Sequence, residues 1–119
     1  MHTKTLQNLP LYFYKNLSDF QEIRHYVSTR KGGVSKGDLG SLNISFFVEP
    51  KRENVIENRA RIAKAMGIKP SKLIFPSQVH EDNIVCISPD WGTAQSEEET
   101  LCTDALITQA KGICISVLS

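Results

Sequence analysis

The sequence predicts an α+β domain, rich in strands and carrying one substantial helix at about 51–66. Three observations point there. One stretch has helical apolar spacing between a proline and a glycine. Several short runs of aromatic and branched residues are separated by turn signals. The length, 119 residues, suits one domain with a modest core.

Leu11-Tyr12-Phe13-Tyr14 has strand composition, as does Ile23 to Thr29, and Asn16-Leu17-Ser18-Asp19 between them reads as a turn. Residues 30–40 form a loop with Gly32, Gly33, Gly37 and Gly40. Ser41 to Val48 alternates apolar and polar residues for most of its length and predicts a strand or an extended segment. In the helix, Pro50 suits the first position, and Gly67 followed by Pro70 is a stop signal. Val55, Ile62 and Met66 recur at helical spacing with Ala63 beside them, and Arg59 falls near the middle of that stripe. Leu73-Ile74-Phe75 is a short apolar run ended by Pro76, and Asn83 to Ser88 is a strand candidate. Residues 89–100 are polar and acidic and predict an exposed loop. Ala105 to Thr108 and Ile113 to Leu118 are strands joined by a turn at 109–112. The sequence stops on strand-like residues with no polar tail, so a fragment is expected. An open sheet edge after Leu118 would then be a route to self-association.

No apolar run is long enough to span a bilayer, and the first residues lack a signal-peptide pattern. A cytoplasmic protein is the expectation. The net charge of +1 gives no argument for nucleic acid or a charged membrane surface as partner. Cys86, Cys102 and Cys114 are odd in number and form no Cys-x-x-Cys pair. That argues against a disulfide framework and a closed structural zinc site, and leaves each cysteine as a small buried hydrophobe by default.

Four segments could carry chemistry. Ser28 to Gly37 combines paired glycines with Arg30, Lys31 and Lys36, which suits an anion such as phosphate; residue types alone favour an ordinary glycine turn. In Gln78-Val79-His80, the imidazole is a zinc ligand or general base in one reading and a structural histidine in the other. Cys86 would lie about 20 Å from His80 along a strand, too far to share a metal. Arg59, a cation on an apolar helix face, needs a carboxylate such as Asp104 or a substrate anion. Asp104, at a strand start, caps a turn or orients a ligand from behind.

Taken in order, these segments resemble one family. Ser28 to Gly37 is similar to its S-T-R-x-G-G-V-S-x-G loop, and Ser41-Leu42-Asn43 to its S-L-N element. Glu57-Asn58-Arg59 matches E-N-R, Gln78-Val79-His80 matches Q-V-H, and Thr103 to Thr108 resembles A-D-A-L-V-T. Residues 115–119 resemble the strand before its A-D-C motif. The family is that of the zinc-dependent purine nucleoside phosphorylases once called multicopper polyphenol oxidases or laccase-domain proteins. The resemblance covers about residues 26–119 and describes the N-terminal part of one such domain, cut before the active cysteine.

The resemblance implies phosphorolysis of adenosine, inosine, guanosine and methylthioadenosine, with adenosine deamination as a second activity. It implies a catalytic zinc held by two histidines and a cysteine. Only the first histidine, His80, falls in this chain; Cys86, Cys102 and Cys114 match no ligand position. Multicopper oxidation needs many His and Cys ligands, and the sequence has three His in all. The partners implied are a purine nucleoside and phosphate. By motif position and side-chain chemistry, Arg30 and Arg59 would hold phosphate or nucleoside, and Asn43 and Gln78 would bond base or ribose. The family usually follows S-L-N with leucine and glycine, where this chain has Ile44 and Ser45, so Ser45 would narrow the site. With one ligand of three, the 119 residues alone should bind zinc poorly and catalyse little. The alternatives are a non-catalytic nucleoside- or anion-binding fragment and a cysteine hydrolase using the family's cysteine.

Overall fold

The computed structural model describes residues 1–91 and 102–118. The chain forms two compact units, Met1–Met66 and Gly67–Ser119.

The first unit opens with a hairpin of β1 (His2–Leu6) and β2 (Leu9–Phe13), paired antiparallel from His2 opposite Phe13 to Leu6 opposite Leu9. Gln7 and Asn8 both have positive φ, 51° and 65°, as a two-residue hairpin turn requires. Leu9, Leu11 and Phe13 alternate inward, while Pro10 lies beyond the short pairing of β2 with β3 (Val27–Ser28) and sacrifices no bond to it. Strand β1 was not expected. Its residues are polar and mostly exposed, and its extended form comes from pairing with β2. The expected turn at 16–19 is part of a single helical turn, α1 (Lys15–Ser18). Of the expected strand 23–29, only Val27–Ser28 pairs.

Helix α2 (Arg52–Met66) begins two residues after Pro50 and ends before Gly67, whose φ of 76° suits a helix stop. It buries Val55, Asn58, Arg59, Ile62, Ala63, Ala65 and Met66. Arg24 Nη1 donates to the Met66 carbonyl at 2.9 Å, placing a cation at the negative end of the helix. Val55, Ile62 and Ala63 are fully buried and share a core with Leu9, Leu11, Phe13 and Leu42. Burying such side chains stabilises by about 1.5–3 kcal/mol each for the larger ones. Residues 41–48 form no strand. Residues 42–45 have no regular secondary structure and 46–48 turn.

In the second unit, β4 (Leu73–Ile74) pairs parallel with β7 (Cys114–Ile115), and β5 (Ile84–Ile87) pairs parallel with β6 (Ala105–Thr108). Leu73, Ile74, Phe75 and Ile87 are buried. The β7 strand is shorter than the expected 113–118, although the Ser116 N–H still reaches the Ile74 carbonyl at 2.9 Å. Most of the expected acidic loop, 92–100, lies outside the described residues. Among those described, no helix is long and apolar enough to cross a membrane.

Candidate functional site

In the first unit, three motif segments meet at Asn58, which is fully buried on α2. Its Oδ1 accepts the Val34 N–H at 2.8 Å, and its Nδ2 donates to Ser35 Oγ at 2.9 Å and to the Asn43 carbonyl at 2.7 Å. Ser35 Oγ in turn donates to Glu49 Oε2 at 2.7 Å. Glu49 also accepts from Asn43 and Asn54, both at 3.3 Å. The Ser35 bond first, then those from Asn43 and Asn54, hold its carboxyl below the ordinary glutamate range against the opposing effect of desolvation.

The glycine loop is closed by Ser41 and Arg30. The Arg30 carbonyl accepts from Ser41 N, Leu42 N and Ser41 Oγ, at 2.7, 2.9 and 3.0 Å. The Arg30 guanidinium donates to the Gly40 carbonyl at 3.2 Å and to the Asp38 carbonyl at 3.0 Å. Gly33 passes so close to its neighbours that a Cβ there would stand 2.1 Å from the Ser41 carbonyl oxygen and 2.6 Å from Leu42 Cα. The N–H groups of the glycine loop are received by protein atoms. Lys31 N meets Thr29 Oγ1, Gly33 N meets Ser41 Oγ, Val34 N meets Asn58 and Ser35 N meets the Ser41 carbonyl. A phosphate cradle made of these four N–H groups is therefore not present in this conformation.

Asn43 is also committed. Its Nδ2 donates to the Ser45 carbonyl and Glu49, and its Oδ1 accepts the Ser45 N–H at 3.2 Å. That local turn bends the segment whose alternation had suggested a strand. Ser45 thus serves as the backbone partner of Asn43. Arg59, buried as the stripe predicted, directs Nε and Nη2 to the Ile44 carbonyl at 2.9 and 2.5 Å. The guanidinium carbons of Arg59 and Arg52 lie 4.4 and 4.1 Å from the Phe46 ring centre.

In the second unit, Gln78, Val79 and His80 are exposed on the loop before β5. His80 has a φ of 62°, in the left-handed region that costs a non-glycine residue about 1–3 kcal/mol. The loop closes around Asp104. Oδ1 accepts the N–H groups of Val79 and His80 at 2.9 and 2.7 Å, and Oδ2 accepts those of Glu81 and Asn83 at 3.0 and 3.4 Å. Desolvation raises the Asp104 carboxyl, but these four backbone bonds outweigh it and leave the group below the ordinary aspartate range. Sequence reasoning left Asp104 between a cap and an orienting role; its partners lie more than twenty positions back, beyond any local pattern.

Among the described residues no group of three or more His, Cys, Asp or Glu side chains could hold a metal ion. His80 is an exposed imidazole of the right donor type for zinc, and it is one donor. The cysteines depart from the buried default. Cys86 and Cys102 are exposed, and Cys114 is half-buried with its thiol pushed up in pKa by desolvation.

The chain is similar to known proteins. The family model described as multi-copper polyphenol oxidoreductase laccase matches residues 24–119. A purine nucleoside phosphorylase of Bacteroides thetaiotaomicron is 33% identical over 107 residues, covering 87% of this chain and 40% of that protein. One of Corynebacterium glutamicum is 32% identical over 96 residues, covering 81% of this chain and 38% of that protein. The crystal structure of YlmD from Geobacillus stearothermophilus aligns with a TM-score of 0.69 at 25% identity, over 77% of this chain and 35% of that one. The chain thus spans about two fifths of the length of the relatives it matches.

Proposed function

The chain belongs to the multi-copper polyphenol oxidoreductase laccase family, and from that membership we propose that it is the N-terminal part of a zinc-dependent purine nucleoside phosphorylase. The observation that carries the reading is His80, an exposed imidazole on a loop whose backbone is fixed by a carboxylate, standing in the family's Q-V-H motif. The names of the relatives supply the reaction class.

In this reading His80 is one of the zinc ligands. The others belong to motifs that the resemblance places after Ser119. Bound zinc would supply a Lewis acid for a water or a substrate heteroatom. Arg30 has an exposed guanidinium that spends two N–H groups on the Gly40 and Asp38 carbonyls. The remaining ones suit a phosphate oxygen. Gln78, exposed two residues before His80, offers an amide to base or ribose. Asn43 and Arg59 contribute by holding the segment at 43–45 in shape rather than by touching substrate, because their polar atoms already serve Ser45, Glu49 and Ile44. The substrates proposed are adenosine, inosine, guanosine and methylthioadenosine, with deamination of adenosine as a second activity in the cytoplasm. The 119 residues alone would hold zinc weakly and turn over little.

The test is phosphate-dependent release of base from inosine and adenosine by the protein that carries this segment, read with its zinc content. We expect zinc near one per chain, and loss of both metal and turnover in His80→Ala. Full base release by His80→Ala would refute the assignment. Binding of nucleoside or phosphate through Arg30 without turnover in the unmutated protein would establish a binding module instead.

A further inference from the structure

We propose that Asp104 is a positioning residue for His80: its carboxylate is the template around which the backbone of residues 79–83 is folded, and this fixes the direction in which the imidazole is presented. The inference rests on the reading of His80 as a metal ligand.

The geometry is specific. Two consecutive amides, Val79 and His80, share Oδ1, and Glu81 and Asn83 take Oδ2. The shortest of the four bonds is that from His80 itself, at 2.7 Å. A chain that wraps one anion with successive N–H groups needs a change in backbone hand, and His80 makes it with its φ of 62°. The carboxylate is itself anchored. Asp104 N and Ala105 N both donate to the Asn83 carbonyl, at 2.8 and 3.1 Å; the Asn83 side chain is no part of this anchor and donates to the Cys102 carbonyl at 2.9 Å. Thr103 N, one residue earlier, reaches the Ser77 carbonyl at 3.1 Å. Both ends of the loop are therefore tied to the entry of β6, and the carboxylate fills its middle. Only an acceptor-only group with two oxygens satisfies four donors here. An amide of the same shape would turn an NH2 toward two of the N–H groups. The exposed imidazole is left as the side chain this construction presents.

A turn-stabilising aspartate with no bearing on the metal would loosen the fold when replaced but leave the ligand equally competent. The two roles separate in Asp104→Asn compared with Asn83→Ala, both made in the protein that carries this segment. Asn83→Ala removes the side-chain bond to Cys102 and keeps the backbone bond to Asp104. Amide hydrogen exchange reads the loop, and competition with a chromophoric chelator reads zinc affinity. In Asp104→Asn, exchange at 79–81 and 83 should accelerate and zinc affinity fall by about 10–100-fold, the range for groups that orient a ligand from behind. Asn83→Ala should keep the affinity of the parent even where its melting temperature falls. Unchanged exchange in Asp104→Asn overturns the template. Accelerated exchange with unchanged zinc affinity, or an equal loss in Asn83→Ala, overturns the positioning role. His80→Ala that retains zinc overturns the ligand reading itself and leaves the exchange result standing on its own.

Discussion

Replacing Asn58 with alanine should destabilise the first unit by about 3 kcal/mol. The side chain is fully buried and makes three hydrogen bonds, to Val34 N, Ser35 Oγ and the Asn43 carbonyl. Ser35 keeps Glu49 as a partner, so its loss is small. Val34 N–H and the Asn43 carbonyl are left half-buried without the amide, at about 1 kcal/mol each from the low end of the range for stranded polar groups. The space vacated by the carboxamide adds about 1 kcal/mol more. Urea denaturation followed by circular dichroism at the helix band is the assay, because α2 is the main helix among the described residues and lies in this unit. Asn58→Asp sharpens the test. It keeps an acceptor for Val34 but turns a second oxygen toward the Asn43 carbonyl, so it should be no more stable than the alanine variant. A loss below about 1 kcal/mol in Asn58→Ala, or a parent-like Asn58→Asp, would refute the claim that this amide joins the three segments.

Gly33→Ala should cost several kcal/mol, since the new Cβ would meet backbone rather than a side chain that can swing aside. A fall in melting temperature of about 4–8 °C for each kcal/mol is the expected readout, and an unshifted midpoint would show that the loop yields. Glu49 makes stability depend on pH. Its folded carboxyl is lowered, so its contribution is complete above the unfolded value near pH 4.3 and is lost as pH falls through the lower folded value. As pH falls from about 5 through the lowered folded value, the parent should therefore lose stability more steeply than Glu49→Gln; parallel curves would contradict the assignment.

Local patterns located much of this fold. Helix α2 was legible because its apolar spacing and its flanking proline and glycine agree, and Arg59 fell where the period placed it. Strand β6 was found at its full extent and β5 within one residue at each end, from short β-branched runs. Strand β1 was not legible because nothing in His-Thr-Lys-Thr-Leu demands burial; the register with β2 makes it a strand. The alternation over 41–48 misled because Asn43 competes for the backbone and spends the chain on a turn. The motif segments themselves were visible, but their partners were not. Asn58 and Val34 are 24 positions apart, and Asp104 and His80 are also 24 apart, and no local period encodes such pairs.

Both candidate loops follow one physical logic. A loop with inward N–H groups must give each an acceptor, and an external anion and an internal one compete for that place. Around Arg30 the acceptors are Ser41, Asn58 and Thr29; around His80 the acceptor is Asp104. Admitting phosphate to the backbone at either loop would first break bonds worth about 1 kcal/mol each and strand their former acceptors. That cost favours recognition by side chains over recognition by backbone. It also explains why residues that look like ligand contacts in the sequence are bonded to one another in the fold. Among the exposed nitrogen-bearing side chains the loops present are the Arg30 guanidinium, with Lys31 and Lys36, on one and the His80 imidazole, with Gln78, on the other. Under the proposed function, the aim of the Arg30 guanidinium is set by its bonds to the Gly40 and Asp38 carbonyls, and that of the His80 imidazole by the carboxylate of Asp104.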